Sequence, residues 1–159
     1  MILWFAVTSV VLVAVVFRSG AVDYRTVAIG ALLPWVDALL GGPRVLHSVL
    51  GVVAVLGVVM LATRGRRLVR RRLLGLPIGL LCHLVLDGSF TTTRAFWWPA
   101  FGLDFAPGQI PELRHLGLSL VLEAAGLALG WWAWRLFGLD RPEARDRFRR
   151  EGRLDAPSG

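Results

Sequence analysis

The sequence predicts an all-α, polytopic membrane helix bundle with four to five transmembrane segments, and three observations predict it. Of 159 residues, 55% are hydrophobic, and the mean hydropathy is +0.62, more apolar side chain than a soluble fold of this size buries. The apolar residues come in long blocks, at about 1–17, 26–41, 45–63, 73–88 and 115–138, with no short alternating runs. The charge lies between and after those blocks. Six of the 18 basic residues sit in Arg64–Arg72 and six more follow Leu139, and all 18 are arginine. The positive-inside rule reads such clusters as topology. A nucleic-acid protein would interleave basic and aromatic residues on a soluble surface, so no nucleic-acid partner is expected despite the net charge of +7.

The first block has no positive residue ahead of its apolar run, so it lacks the charged region of a cleavable signal and reads as a retained helix. A full span needs ~20 residues; the first, third and fifth blocks approach or exceed that. The second, 26–41, is short and contains Pro34 and Asp37. It is either a broken span or a re-entrant hairpin, which a bilayer tolerates only where protein covers the exposed backbone. The fourth, 73–88, has 16 residues, about 24 Å at ~1.5 Å per residue against a core of ~30 Å.

With Arg64–Arg72 in the cytoplasm, the third block runs outside to inside, the fourth returns, and the fifth brings the arginine-rich tail to the cytoplasm as well. A spanning 26–41 puts the N-terminus outside; a re-entrant one puts it inside. Five spans is the favoured count. The chain divides into a membrane domain, 1–138, and a cytoplasmic basic and acidic tail, 139–159, expected to form a short surface helix and then fray. The expected location is the inner (cytoplasmic) membrane. Trp131, Trp132 and Trp134 suit its cytoplasmic interface, Trp97 and Trp98 the opposite one.

Gly75, Gly79, His83 and Asp87 fall four residues apart, a single stripe at helical pitch. Small residues at this spacing, as also at Gly126 and Gly130, imply close helix packing. Ionisable residues inside a bilayer are costly and mark functional sites. Placed by depth, Asp37, His47, His83, Asp87, His115, Ser119 and Glu123 all belong to the extracytoplasmic half. Imidazole and carboxylate together suit a divalent Zn, Mn or Fe ion better than calcium. Asp37, His47, His83 and Asp87 are the candidate metal ligands, Asp37 and His47 completing the shell from across the break at Gly41–Gly42–Pro43. An open coordination position would activate a water against an ester or amide, with Glu123 as catalytic base or fifth ligand. Plainer readings stand beside these: His83 and Asp87 bonding each other, Glu123 bonding Ser119 or pairing with Arg94 or Arg114, and His115 resting at the interface. Cys82 is the only cysteine, so there is no internal disulfide and no cysteine-based metal cluster.

At Leu33-Pro34-Trp35-Val36-Asp37, His47-Ser48, Cys82-His83-Leu84-Val85-Leu86-Asp87 and Trp98-Pro99 the chain resembles a bacterial family of inner-membrane metal-dependent hydrolases, also described as LexA-binding. That family's pattern looks like Leu-Pro-Asp-x-Asp, His-Arg-Gly-x-Thr-His-Ser, Ser-His-x-x-x-Asp and a Trp-Pro turn. The resemblance covers about residues 30–100 and implies Asp37, His47, His83 and Asp87 as ligands. Trp35 stands where the pattern has its first acid and Gly42 where it has a histidine, and an early Gly-His is absent. A single-metal or degenerate site is therefore implied over a two-metal one. The implied function is hydrolysis of a lipid-linked or membrane-proximal ester at the outer side of the membrane, with membrane lipid as partner. Two other classes fit the same residues: a non-enzymatic adaptor whose arginines bind anionic lipid or protein, and a small proton-coupled transporter. No internal repeat supports the last.

Overall fold

A computed structural model describes residues 1–39, 45–91, 96–100, 102 and 116–154, and every element among them is helical. Helix α1 is Ile2–Phe17, α2 Tyr24–Leu32, α3 Trp35–Leu39, α4 Val49–Ala62, α5 Arg67–Leu73, α6 Gly75–Leu86, α7 Leu116–Leu136 and α8 Pro142–Glu151. Short 3-10 turns cover Val45–His47 and Ser89–Thr91. Helices α1–α4, α6 and α7 follow the apolar blocks to within a few residues; α5 lies within the Arg64–Arg72 stretch, expected as a loop, and α8 in the charged tail. Of them, α7 alone among the described residues is long and apolar enough to cross a membrane; α1 and α4 are apolar but shorter.

Local chemistry sets the helix ends. Asp23 caps α2 by accepting from the Arg25 N–H, and Ser48 caps α4 by accepting from the Gly51 N–H at 3.0 Å. Pro34 has no N–H to continue the ladder, so the second apolar block breaks after Leu32 and restarts as α3.

Packing depends on glycines. Helices α2 and α6 lie side by side, and a Cβ at Gly30 would strike the Leu76 carbonyl, one at Gly79 the Val27 carbonyl, and one at Gly75 the Thr26 hydroxyl. The pair is parallel, since Asp23 and Thr26 meet Gly75 at one end and Ala31 meets His83 at the other. Helices α1 and α7 are parallel too: Trp4 packs on Gly126, and further along Val13 and Ala14 share a core with Ala133 and Phe137. Tyr24 and Val27 complete that core.

The tail helix is attached to the bundle. The Tyr24 N–H donates to the Gly152 carbonyl at 2.8 Å and the Arg25 guanidinium to the Arg149 carbonyl, while Phe148 and Leu154 pack against the core. Gly152 ends α8 at φ 68°, and a Cβ there would collide with the Asp23 carboxylate. Asp23, 4% exposed, is held by a two-pronged bond from Arg25, with 3.0 and 2.7 Å separations.

These contacts sort the molecule into two ends. The starts of α2 and α6, the ends of α1 and α7, α8 and the Arg64–Arg72 stretch with α5 gather at one, where the Thr26 hydroxyl lies 2.6 Å from the Arg72 carbonyl. The starts of α1 and α7, α3, and the ends of α2 and α6 gather at the other.

Candidate metal centre

At the second end three side chains converge. His47, His83 and Asp87 each offer a ligand atom, and these atoms all lie within 4.8 Å of one another. The two imidazole rings are 5.7 Å apart, edge to face. His83 is 3% exposed, His47 partly buried and Asp87 exposed, so the group is closed on one side and open on the other.

Each histidine is oriented through the same nitrogen. His83 Nδ1 lies 2.7 Å from the Ala31 carbonyl, which can only accept, so Nδ1 carries the proton. His47 Nδ1 lies 3.2 Å from Asp37 Oδ2, which also accepts the Leu46 N–H at 2.8 Å. In both rings Nε2 is left as the ligand atom, the arrangement in which metal-binding histidines are held by a carbonyl or carboxylate behind them. The Phe5 ring stacks on His83, 4.0 Å between centroids and 29° from parallel, and covers one ring face.

Asp87 follows the last residue of α6, where the helix dipole disfavours an acid. Its position does not serve the helix. Its Oδ2 accepts the Ser89 hydroxyl at 2.7 Å, so the 3-10 turn after α6 steadies it. His83 and Asp87 do not hydrogen-bond each other: each bonds elsewhere.

The expected ligands are thus placed in two ways. His47, His83 and Asp87 come together directly, and Asp37 stands behind His47 as its orienting carboxylate. Glu123 is outside this group. Its Oε1 and Oε2 accept the N–H groups of Leu3 and Trp4, at 3.2 and 3.4 Å, so it caps α1 from α7. Unbonded N–H groups at a helix start attract a carboxylate, which gives Glu123 a partner other than the expected catalytic one. His115, Arg94, Arg114 and Gly41–Gly42–Pro43 lie outside the described residues. Trp35, where the resemblance has an acid, leaves its indole Nε1 buried without a hydrogen-bond partner among the described residues.

Two participants carried no sequence signal: the Ala31 carbonyl and the Phe5 ring. A buried polar atom needs a partner, but nothing local says which chain-distant residue supplies it. Donor atoms sharing one ion at ~2.1 Å stand no more than ~4.2 Å apart, so the widest separation in this group needs to close by roughly 0.6 Å. The chemistry of the set, two nitrogens and one oxygen, fits one transition ion with open positions. No protein-family model, curated protein or solved structure matches the chain.

Proposed function

We propose that this protein is a polytopic inner-membrane helix bundle holding one divalent metal ion at its extracytoplasmic end, where it hydrolyses a lipid-linked or membrane-proximal ester. What carries this reading is a pair of imidazoles whose Nδ1 atoms are both committed, leaving Nε2 of each free, in a group with the exposed carboxylate of Asp87. A Zn, Mn or Fe ion held there supplies Lewis-acid polarisation of a carbonyl or phosphoryl group. The chain's own residues do the rest. Asp37 and the Ala31 carbonyl hold the rings, Phe5 keeps water from one face of His83, and Asp87 lies on the open side, where a substrate approaches. The broad exposure of apolar side chains supports the membrane: Val53, Val58 and Leu61 on α4 and Leu120, Val121 and Leu127 on α7 are all more than half exposed.

The test is metal analysis of the full chain purified without chelator. About one transition ion per chain is expected, and Asp87→Asn, at an exposed position, lowers occupancy without unfolding. Asp37→Asn weakens affinity by roughly 10–100-fold through His47. A metal-free protein, or one whose ion content ignores His83→Ala and Asp87→Asn alike, overturns the reading. The helix break at Pro34, beside the Asp37–His47 pair, favours a proton-coupled transporter as the second reading. Proton flux in liposomes that vanishes in Asp37→Asn would select it.

A further inference from the structure

A second feature lies between α1 and α7, turned away from the histidines. Leu3 and Val7 share one face of α1, and Phe5, which stacks on His83, lies roughly opposite them at helical pitch. On that face a groove of about 770 Å³ runs between Leu3 and Val7 and the α7 residues Gly130 and Trp131. Its size is that of a small-molecule site. The groove exists because α7 has no side chain at Gly126, where it touches the Trp4 backbone, or at Gly130. Its walls are otherwise apolar, until Trp134, Arg135 and Asp140 close the arginine end.

We propose that the groove seats an acyl chain of an anionic phospholipid, with the lipid phosphate on Arg135. Charge complementarity chooses this occupant. The Arg135 guanidinium stands 4.6 Å from the Trp131 ring centroid and, among the described residues, pairs with no carboxylate. It lies at the end where the other arginine clusters gather. Asp140 lines the same end and is as exposed as Arg135, but the two form no ion pair. Length agrees as well. From Gly126 to Arg135 α7 rises about 14 Å, close to the ~15 Å hydrocarbon depth of one leaflet. Tryptophans beside a cation suit the headgroup boundary. This proposal shares only the membrane assignment with the hydrolase reading.

The full chain, purified in a neutral detergent, is titrated with phosphatidylglycerol carrying brominated acyl chains, and tryptophan quenching is read against brominated phosphatidylcholine. Phosphatidylglycerol is expected to quench at the lower mole fraction. Arg135→Gln raises its half-quenching concentration roughly fivefold, one near-surface arginine's share, while Arg71→Gln in α5 changes it little. Gly130→Leu removes the tight phase. A Cβ at position 130 meets Val7 at an ordinary 3.6 Å, and the remaining leucine atoms enter the groove that Gly130 lines. An unchanged circular dichroism spectrum and melting temperature check that the fold is kept. Quenching equal in wild type, Arg135→Gln and Gly130→Leu overturns the proposal. So does light scattering that shows a dimer which Gly130→Leu dissolves, since a second copy then fills the groove. A chain that stays soluble without detergent defeats this and the hydrolase reading together. Normal quenching in a metal-free protein defeats the hydrolase alone.

Discussion

Gly79 and Gly57 make opposite demands on a methyl group. At Gly79 a Cβ would strike the Val27 carbonyl, backbone that cannot swing aside, whereas around Gly57 there is nothing within 4 Å. Gly79→Ala is expected to lower stability by about 1–3 kcal/mol, the cost of overpacking, because α2 and α6 must part. Gly57→Ala, mid-helix in α4, is expected to raise it by about 0.5–1 kcal/mol. Melting temperatures of both variants in one detergent check the pair. The glycine stripe was legible in the sequence, because a four-residue step is a property of the helix itself. The ring orientations were not. His83 is set by a carbonyl 52 positions away, and Asp37, expected as a ligand, meets Leu46 and His47 only once the fold brings them to it.

At the level of elements, α8 was legible as a short surface helix in the tail of mixed acids and arginines, but its attachment was not. That rests on the Asp23–Arg25 pair at the start of α2, far away in sequence. Burial alone would raise the Asp23 carboxyl; the hydrogen bonds and charge of Arg25 outweigh it and hold the group below its ordinary value of 3.8. A carboxyl depressed in the folded state stabilises above its unfolded value, and that stability is lost as pH falls through the lower folded value. The melting-temperature gap between wild type and Asp23→Asn is therefore expected to be full near neutral pH and to shrink below about pH 4. A gap constant from pH 7 to 3 would show that the carboxylate contributes nothing through its charge. The same distance in sequence hid Glu123. Spaced four residues from Ser119 it reads as part of an inward stripe, yet the open N–H groups of α1 claim it.

For the whole molecule, the separation of arginines from histidines makes a topological statement that labelling can test. On a Cys82→Ser background, Thr91→Cys is expected to react with an impermeant maleimide in intact cells, and Arg66→Cys only after permeabilisation; both positions are exposed. Labelling of both from one side would sink the polytopic arrangement. That the arginine stretches and the histidines lie at opposite ends was legible from where the charges fall along the apolar blocks. The pairing of helices within the bundle was not, since apolar residues that meet another helix and those left exposed look alike in one sequence. That pairing also has a temporal side. The N–H groups of Leu3 and Trp4 find their acceptor on Glu123, 120 and 119 residues downstream. At ribosomal speeds of ~5–20 residues per second, the first helix waits roughly 6–24 s for its neighbour to be synthesised. The bundle is thus closed by its last long helix, and a nascent chain halted before that helix emerges keeps its opening turn uncapped.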